Sequence, residues 1–193
     1  MLRMTRHARG ELPAGTYHIT TRSGGPIPIF LDDDDSTRLA MLLIRALRKA
    51  GLVCRAFCFM PTHYHLLLDV PADALQAAMH RLNGFYARGF NLRHGRKGHL
   101  FGERYHCRLV KSDAHMIELL RYIARNPVEA GLCEKPSDWY WSSYRGCIEL
   151  DDGFPFVDST LLRSYFGENR ARATELIREF VEGQAPTTIV TWV

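Results

Sequence analysis

The sequence has little of what a membrane or secreted protein needs. No run of about 18 apolar residues occurs, which excludes a membrane-spanning helix. Residues 1–7 lack the apolar region of a secretory signal, and the five cysteines lack the regular spacing of a disulfide framework. Internal repeats are absent, as are low-complexity segments apart from the aspartate run at 32–35. These absences predict a cytoplasmic protein with reduced thiols.

The composition is that of an ordinary globular protein. A chain of 193 residues suffices for one well-packed domain with extensions. The net charge of +4 permits nucleic-acid binding without demanding it, but the basic residues are concentrated in one segment. That segment, residues 88–111, contains Arg88, Arg93, Arg96, Lys97, Arg104, Arg108 and Lys111. Cys54 and Cys58 lie in a strand-like run and are predicted to be core thiols rather than a metal pair.

Hydrophobic periodicity predicts an α+β fold. Strands are predicted at residues 16–22, 52–60, 63–70 and 104–111, and helices after Ser36, over 73–90 and from about Ser112. This order is the ferredoxin-like split βαβ plan, with a four-stranded antiparallel sheet and two helices on one face. A third helix should lie on the open face, followed by a small C-terminal helical extension. We predict a main domain at 1–150 and the extension at 151–193.

Alternation along the strands sorts their residues between the two faces of the sheet. The open face is predicted to carry His18, Thr20, Arg22, His63, His65, Leu67, Asp69, Arg104, His106 and Arg108. The opposite face is predicted to hold the core residues Tyr17, Ile19, Tyr64, Leu66, Leu68, Tyr105, Cys107 and Leu109. A one-residue error in register would reverse each assignment.

The histidine pair carries the first chemical signal. His63 and His65, on one face of a strand, can offer two neutral nitrogen ligands to one divalent metal ion. Farther along, Tyr122 and Asn126 are four residues apart and would share a helix face. A histidine pair, an oxygen ligand and a tyrosine hydroxyl are the parts needed to cut a phosphodiester through a covalent tyrosine intermediate.

Each of these residues also has a purely structural interpretation. A His-x-His pair on a strand can be two hydrogen-bonded or exposed histidines. Asn126 precedes Pro127 and can be the N-cap of a short following helix that ends at Gly131. Tyr122 can be a packed aromatic with its hydroxyl at the surface. The conjunction of the four residues favours the chemical interpretation.

Four motifs occur in a fixed order. They are MPTHYHLLL at 60–68, GHLFGERY at 98–105, RYIARNPVEAGL at 121–132 and WSSY at 141–144. Over residues 16–144 they resemble the REP-associated tyrosine transposases, bacterial single-domain members of the HUH endonuclease superfamily. Two positions depart from that pattern: Tyr64 stands where a bulky aliphatic is usual, and Thr62 where many relatives carry Asn.

The resemblance implies a metal-dependent cleavage of DNA. By it, His63, His65 and Asn126 bind Mg²⁺ or Mn²⁺, and Tyr122 on the catalytic helix attacks the backbone to leave a 5′-phosphotyrosine and a free 3′-hydroxyl. It also implies single-stranded or hairpin DNA as substrate, and a monomer rather than a dimer. One rival class is a replication initiator or relaxase, whose further domains a chain of this length does not accommodate. The other is a non-mobile DNA-binding or hairpin-processing protein on the same scaffold.

Cations interleaved with aromatics predict a groove for single-stranded or hairpin DNA. The residues predicted to contact DNA are His18, Arg22, Arg88, Asn91, Arg93, Arg96, Lys97, Arg104, Arg108 and Trp141. Residues 141–144 can equally form a packing flap. The amphipathic stretch 161–181 can be a DNA clamp or a cover for the sheet edge.

Overall fold

The computed structural model describes residues 12–25 and 27–183. Its strands are β1 (Gly15–Arg22), β2 (Val53–Met60), β3 (His63–Val70) and β4 (His106–Leu109). Its helices are α1 (Asp33–Ala50), α2 (Ala74–Arg93), α3 (Asp113–Glu129), α4 (Tyr144–Cys147), α5 (Thr160–Ser164) and α6 (Arg170–Glu182), with a 3₁₀ turn at Pro136–Asp138. Residues 1–7, which were predicted to lack a secretory signal, lie outside the described residues.

The sheet has the strand order β2-β3-β1-β4, and β1 is antiparallel to both of its neighbours. Combined with the chain order β1-α1-β2-β3-α2-β4, this is the split βαβ arrangement, so the predicted α+β fold is confirmed. Strand β3 has the predicted bounds, and β1 and β2 differ from prediction by one residue each. The predicted placement of the third helix on the open face stays a prediction.

The register of the central strands confirms the predicted division of faces. Thr20 of β1 lies opposite His65 of β3, and Ile19 lies opposite Leu66. Tyr64 is completely buried, and its hydroxyl donates to Asn83 Oδ1 of α2 at 2.5 Å. Helix α2 therefore covers the face to which Tyr64 points, and the histidines of β3 project from the other face.

The fourth strand departs from prediction in length and burial. It spans four residues where eight were predicted. Cys107 shares the face of Ile19, as predicted, but its side chain is exposed rather than in the core. Tyr105 and Leu109 are only half-buried. The physical reason is that β4 is the edge strand of the sheet, with a partner strand on one side only.

Helix α1 begins earlier than the sequence suggested. Asp32 is its N-cap, and the Asp32 side chain accepts a hydrogen bond from the backbone N–H of Asp35. The aspartates that follow therefore form the first turn, where negative charge stabilises the helix dipole. The helix ends at Gly51, whose φ of 65° is the left-handed conformation that glycine adopts without strain.

The described residues divide into two compact units. The first consists of residues 12–55 and 59–110, and the second of 56–58 and 111–183. Within the second unit, Arg121 donates to the carbonyl of Gly183 at 3.2 Å, and Arg125 donates to the carbonyl of Val181 at 2.9 Å. These bonds tie α3 to the end of α6. The predicted functional boundary at residue 150 stays a prediction.

Helix α3 continues through Pro127 to Glu129. The carbonyl of Asn126 accepts the N–H of Ala130 within the same helix, so the alternative interpretation of Asn126 as the N-cap of a following helix is wrong. The C-cap of α3 is Ala130, and Gly131, whose φ is 69°, follows it. The start of the helix follows prediction, because Ser112 is the N-cap and accepts from the N–H of His115.

Within the described residues, no helix is both long and apolar enough to cross a membrane. Cys54 and Cys58 are buried, as predicted for core thiols.

A buried carboxylate joins the start of α1 to the end of α2. Asp35 is completely buried, lies 2.8 Å from the Arg93 guanidinium and 3.0 Å from His94 Nε2, and accepts from the N–H of Leu31. Arg93 also contacts Asp32 at 2.7 Å and Asp34 at 3.0 Å. The bond from Arg93 lowers the pKa of Asp32 to about 2.

Replacing Asp35 with alanine should lower the free energy of unfolding by about 2 kcal/mol. Removing one member of a fully buried ion pair lowers the free energy of unfolding by more than this. The Arg93 side chain is one-third exposed, however, so water replaces part of the lost contact. Urea denaturation followed by circular dichroism measures the change. Asp34→Ala is the matched control, since this carboxylate is 83% exposed and should contribute less than about 0.5 kcal/mol. Equal effects of the two substitutions would contradict the structural role of Asp35.

Candidate active site

His65 is held in place by two neighbours from β1. His65 Nδ1 lies 3.0 Å from His18 Nε2 and 3.2 Å from Thr20 Oγ1. The His18 and His65 rings are stacked, with centroids 5.2 Å apart. With a proton on Nδ1, His65 donates to these neighbours, and its Nε2 keeps the lone pair that a metal ion needs.

His63 has a similar arrangement. Its Nδ1 lies 3.2 Å from the hydroxyl of Thr62, so the threonine at this position supplies a hydrogen-bonding partner for the ring. The His63 and His65 rings meet edge to face with centroids 4.9 Å apart. The two imidazoles are therefore neighbours on one face of β3, and each is oriented through Nδ1.

The donor set of this cluster fits a divalent ion only if a ligand of another type completes it. Among the described residues, no group of three or more His, Cys, Asp or Glu side chains could hold a metal ion. His18 is close, but its Nε2 faces His65 Nδ1 rather than a point that the three rings share. Two imidazole nitrogens and an amide oxygen are compatible with Mg²⁺ or Mn²⁺, which prefer oxygen ligands and accept imidazole.

Tyr122 and Asn126 lie one turn apart on α3 and share a face of that helix. Both side chains are half-buried. The adjacent face carries Arg121 and Arg125, which bond to the end of α6. This packing fixes the rotation of α3 within its unit and so fixes the direction in which Tyr122 and Asn126 project.

Five tyrosines of the chain have a pKa that burial changes. In each of them desolvation raises the pKa, which disfavours the phenolate and weakens the hydroxyl as a nucleophile. For Tyr105 the pKa rises to about 12. The remaining four are Tyr17, Tyr64, Tyr86 and Tyr144. Tyr64, the tyrosine inside the histidine motif, is thus a core residue.

Several residues predicted to contact DNA line one groove of the first unit. This groove, called here the loop groove, lies between α2 and residues 98–105 and has a volume of about 460 Å³. Arg88, Asn91 and Arg104 line it together with His80 and Tyr105, and their contact with DNA stays a prediction. The Asn91 side chain also donates to the carbonyl of Gly98 at 2.8 Å and so holds the loop against the helix.

Other predicted contacts have different surroundings. Arg22, Lys97 and Arg108 are exposed on the surface. The Arg96 guanidinium lies 5.8 Å from the centre of the Phe90 ring. Arg93 is engaged by three aspartates, so binding a phosphate would require it to give up these ion pairs.

The structure gives His18 and Trp141 surroundings that the sequence did not suggest. His18 is 7% exposed and its Nε2 lies 3.0 Å from His65 Nδ1, so its predicted contact with DNA stays a prediction. Trp141 packs against Tyr140 and Phe154 with ring centroids 5.2 and 5.7 Å away. These contacts favour the packing flap over a DNA contact at 141–144. The sequence signal for His18 was its alternation with Thr20 on the strand, which placed it on the right face.

Comparison with known proteins places these features in a family. A family model described as IS200-like transposase matches residues 13–126. A protein of Haemophilus influenzae named as a REP-associated tyrosine transposase is 29% identical over 107 residues, which cover 50% of this chain. The chain spans 61% of the length of that curated relative.

A solved structure shows the same fold. It is that of a REP-associated tyrosine transposase bound to a REP hairpin, and it matches with a TM-score of 0.64 at 20% identity, covering 81% of this chain and 94% of that one. Both similar proteins carry the name that the sequence motifs indicated. The family model extends from the start of β1 to Asn126, more than half of the chain. The chain therefore belongs to the IS200-like transposase family.

Proposed function

We propose that this protein breaks and rejoins single-stranded or hairpin DNA, using Tyr122 as the nucleophile and a divalent metal ion held by His63, His65 and Asn126. The observation that carries the proposal is the histidine pair: two adjacent imidazoles on β3, each oriented through Nδ1. That pattern is typical of histidines that bind a metal through Nε2. Family membership supports the reaction, and the name of the structural relative, bound to a REP hairpin, supports the substrate.

The proposed reaction exchanges one ester for another. The Tyr122 oxygen forms a bond to phosphorus and loses its proton, while the bond from phosphorus to the 3′-oxygen breaks. The leaving oxygen takes up a proton and becomes a free 3′-hydroxyl, and the 5′ end of the DNA stays on Tyr122. In the rejoining step a 3′-hydroxyl attacks the phosphotyrosine and releases the phenol. No net oxidation or hydrolysis occurs.

The histidines would hold the metal ion, and their neighbours would orient them. A bound Mg²⁺ or Mn²⁺ supplies Lewis-acid stabilisation of the negative charge on the scissile phosphate. His63 and His65 would hold the ion without adding negative charge, which leaves it attractive to phosphate oxygens. His18, Thr20 and Thr62 keep the two rings in the tautomer and rotation that present Nε2.

Replacing Tyr122 with phenylalanine should abolish cleavage and leave DNA binding intact, because only the nucleophilic oxygen is removed. The measurement uses labelled single-stranded hairpins taken from the DNA next to the gene. Denaturing electrophoresis reports a covalent adduct, and mass spectrometry of the digested adduct identifies the modified residue.

Tyr64→Phe is the matched control within the histidine motif. It removes the hydroxyl that donates to Asn83 and should lower the free energy of unfolding by about 1 kcal/mol, since the half-buried Asn83 acceptor loses its donor. The adduct should still form at Tyr122. A nucleotide found on any other tyrosine, or cleavage without an adduct, would refute the mechanism.

Metal binding should depend on both histidines. We expect His63→Ala and His65→Ala each to abolish cleavage and to remove the heat of Mn²⁺ binding in isothermal titration calorimetry. Hairpin binding should persist, because the phosphate contacts are assigned to the basic residues. Cleavage that survives both substitutions and excess EDTA would contradict the metal assignment.

Thr62→Val tests the orientation of His63 without removing a ligand. The substitution keeps the shape of the side chain and removes the hydroxyl 3.2 Å from His63 Nδ1. Partners of this kind typically contribute about 10- to 100-fold to metal affinity, so Mn²⁺ should bind more weakly by that factor. Added Mn²⁺ should restore cleavage in this variant and should not restore it in His63→Ala.

A further inference from the structure

A second groove of the first unit lies between α1 and α2. It is called here the helix groove and has a volume of about 460 Å³. The side chains that define it are Arg38, Arg45, Lys49, Arg81, Phe85 and Arg88. Since α2 covers the Tyr64 face of the sheet, this groove is on the side opposite to the histidine pair.

The charge of the two helices is entirely of one sign beyond their first turn. Residues 36–50 and 74–93 contain seven arginines and lysines and no aspartate or glutamate. Exposed helices ordinarily carry acidic residues that pair with cations three or four positions away. Here the groove cations repel one another, and a ligand with closely spaced negative charges would relieve that repulsion.

The groove also exposes apolar surface between its cations. Phe85 is 60% exposed and the adjacent Leu92 is 84% exposed. Apolar surface that is rimmed by polar or charged side chains is typical of a binding site. An aromatic ring among arginines matches single-stranded nucleic acid, because phosphates bind the cations and an unpaired base stacks on the ring. A duplex offers no unpaired base to Phe85.

Close helix packing directs Arg38 into this groove. A Cβ added at Gly89 would lie 2.3 Å from the nearest Arg38 guanidinium nitrogen, so the guanidinium lies directly against α2 at a position that carries no side chain. Arg88, on the same turn, lines both the helix groove and the loop groove. The two grooves therefore meet at Arg88.

We propose that the helix groove binds a single strand of DNA, with phosphates on Arg38, Arg45 and Lys49 and a base on Phe85. The strand would continue past Arg88 into the loop groove. This inference rests on the proposed function, which supplies the DNA. Because the groove is remote from the histidine face, it holds DNA that flanks the cleavage point and contributes to affinity rather than to the chemical step.

The test titrates the full-length protein into a fluorescein-labelled strand of roughly 20 thymidines without divalent metal and follows anisotropy. Arg45→Glu should weaken binding about five- to tenfold at 0.1 M salt, since one lost phosphate contact accounts for about fivefold and the new carboxylate adds repulsion. Phe85→Leu should weaken it roughly fivefold or more through lost stacking. Both positions are exposed, and thermal melting checks that the variants are folded.

Arg48→Glu is the matched control. It makes the same charge change on the same exposed helix, but Arg48 does not line the groove. We expect less than twofold weakening. Equal affinities of wild type, Arg45→Glu and Phe85→Leu would overturn the inference. An equal weakening by Arg45→Glu and Arg48→Glu would also overturn it, because that result indicates an effect of overall charge. A weakening seen on a blunt duplex but not on the thymidine strand would overturn it as well.

Adduct formation separates this inference from the proposed function. The hairpin concentration that gives half of the maximal rate of Tyr122 adduct formation should be higher for Arg45→Glu than for wild type. If wild type forms no adduct but Arg45→Glu still weakens thymidine binding, the groove stands and the proposed reaction fails. If the adduct forms and thymidine binding is unchanged in the variant, the reaction stands and the groove fails.

Discussion

The pairing of β1 with β3 is the constraint on which the candidate site depends. This ladder places Thr20 opposite His65 and Arg22 opposite His63, and it brings His18 within 3.0 Å of His65. Strand side chains alternate with a period of two, so a slip of one residue would turn both histidines into the core and expose Tyr64. The apolar residues of the core face thus determine, through register alone, where the imidazoles project.

The two faces of the first unit therefore have different chemistry. One holds buried, oriented imidazoles, and the other carries cations on helices that lack acidic residues after their start. Asp32, Asp34 and Asp35 lie at the start of α1 and are engaged by Arg93. The side chains that line the groove between the helices include five cations and no carboxylate.

The sequence was sufficient for the strand order and the division of faces because both follow from alternation and from short, well-marked turns. Strand β3 was predicted to the residue, and Tyr64 was correctly placed in the core. Prediction from the sequence failed at the edge of the sheet, where Cys107 is exposed. Burial there depends on neighbouring elements, which periodicity does not reveal. The same holds for His18, whose contact with His65 depends on pairing between strands far apart in the chain.

The helix groove lay beyond sequence reasoning for a related reason. Arg38 and Phe85 belong to separate helices, and each looks like an ordinary exposed residue on its own helix. Only the packing of α1 on α2 brings them to one groove. At Asn126 the sequence suggested a feature that is absent: the proline after it indicated a helix boundary, but the helix continues.

Pro127 leaves α3 with one backbone hydrogen bond fewer than a regular helix of the same length. Proline has no N–H, so the carbonyl of Ile123 has no donor at the position four residues ahead, within the turn that separates Tyr122 from Asn126. One backbone hydrogen bond is therefore absent from this turn. The side chains of Arg121 and Arg125 bond the same part of the helix to α6. The helix is thus held to α6 along one side and lacks one stabilising backbone hydrogen bond on the turn that carries Tyr122 and Asn126.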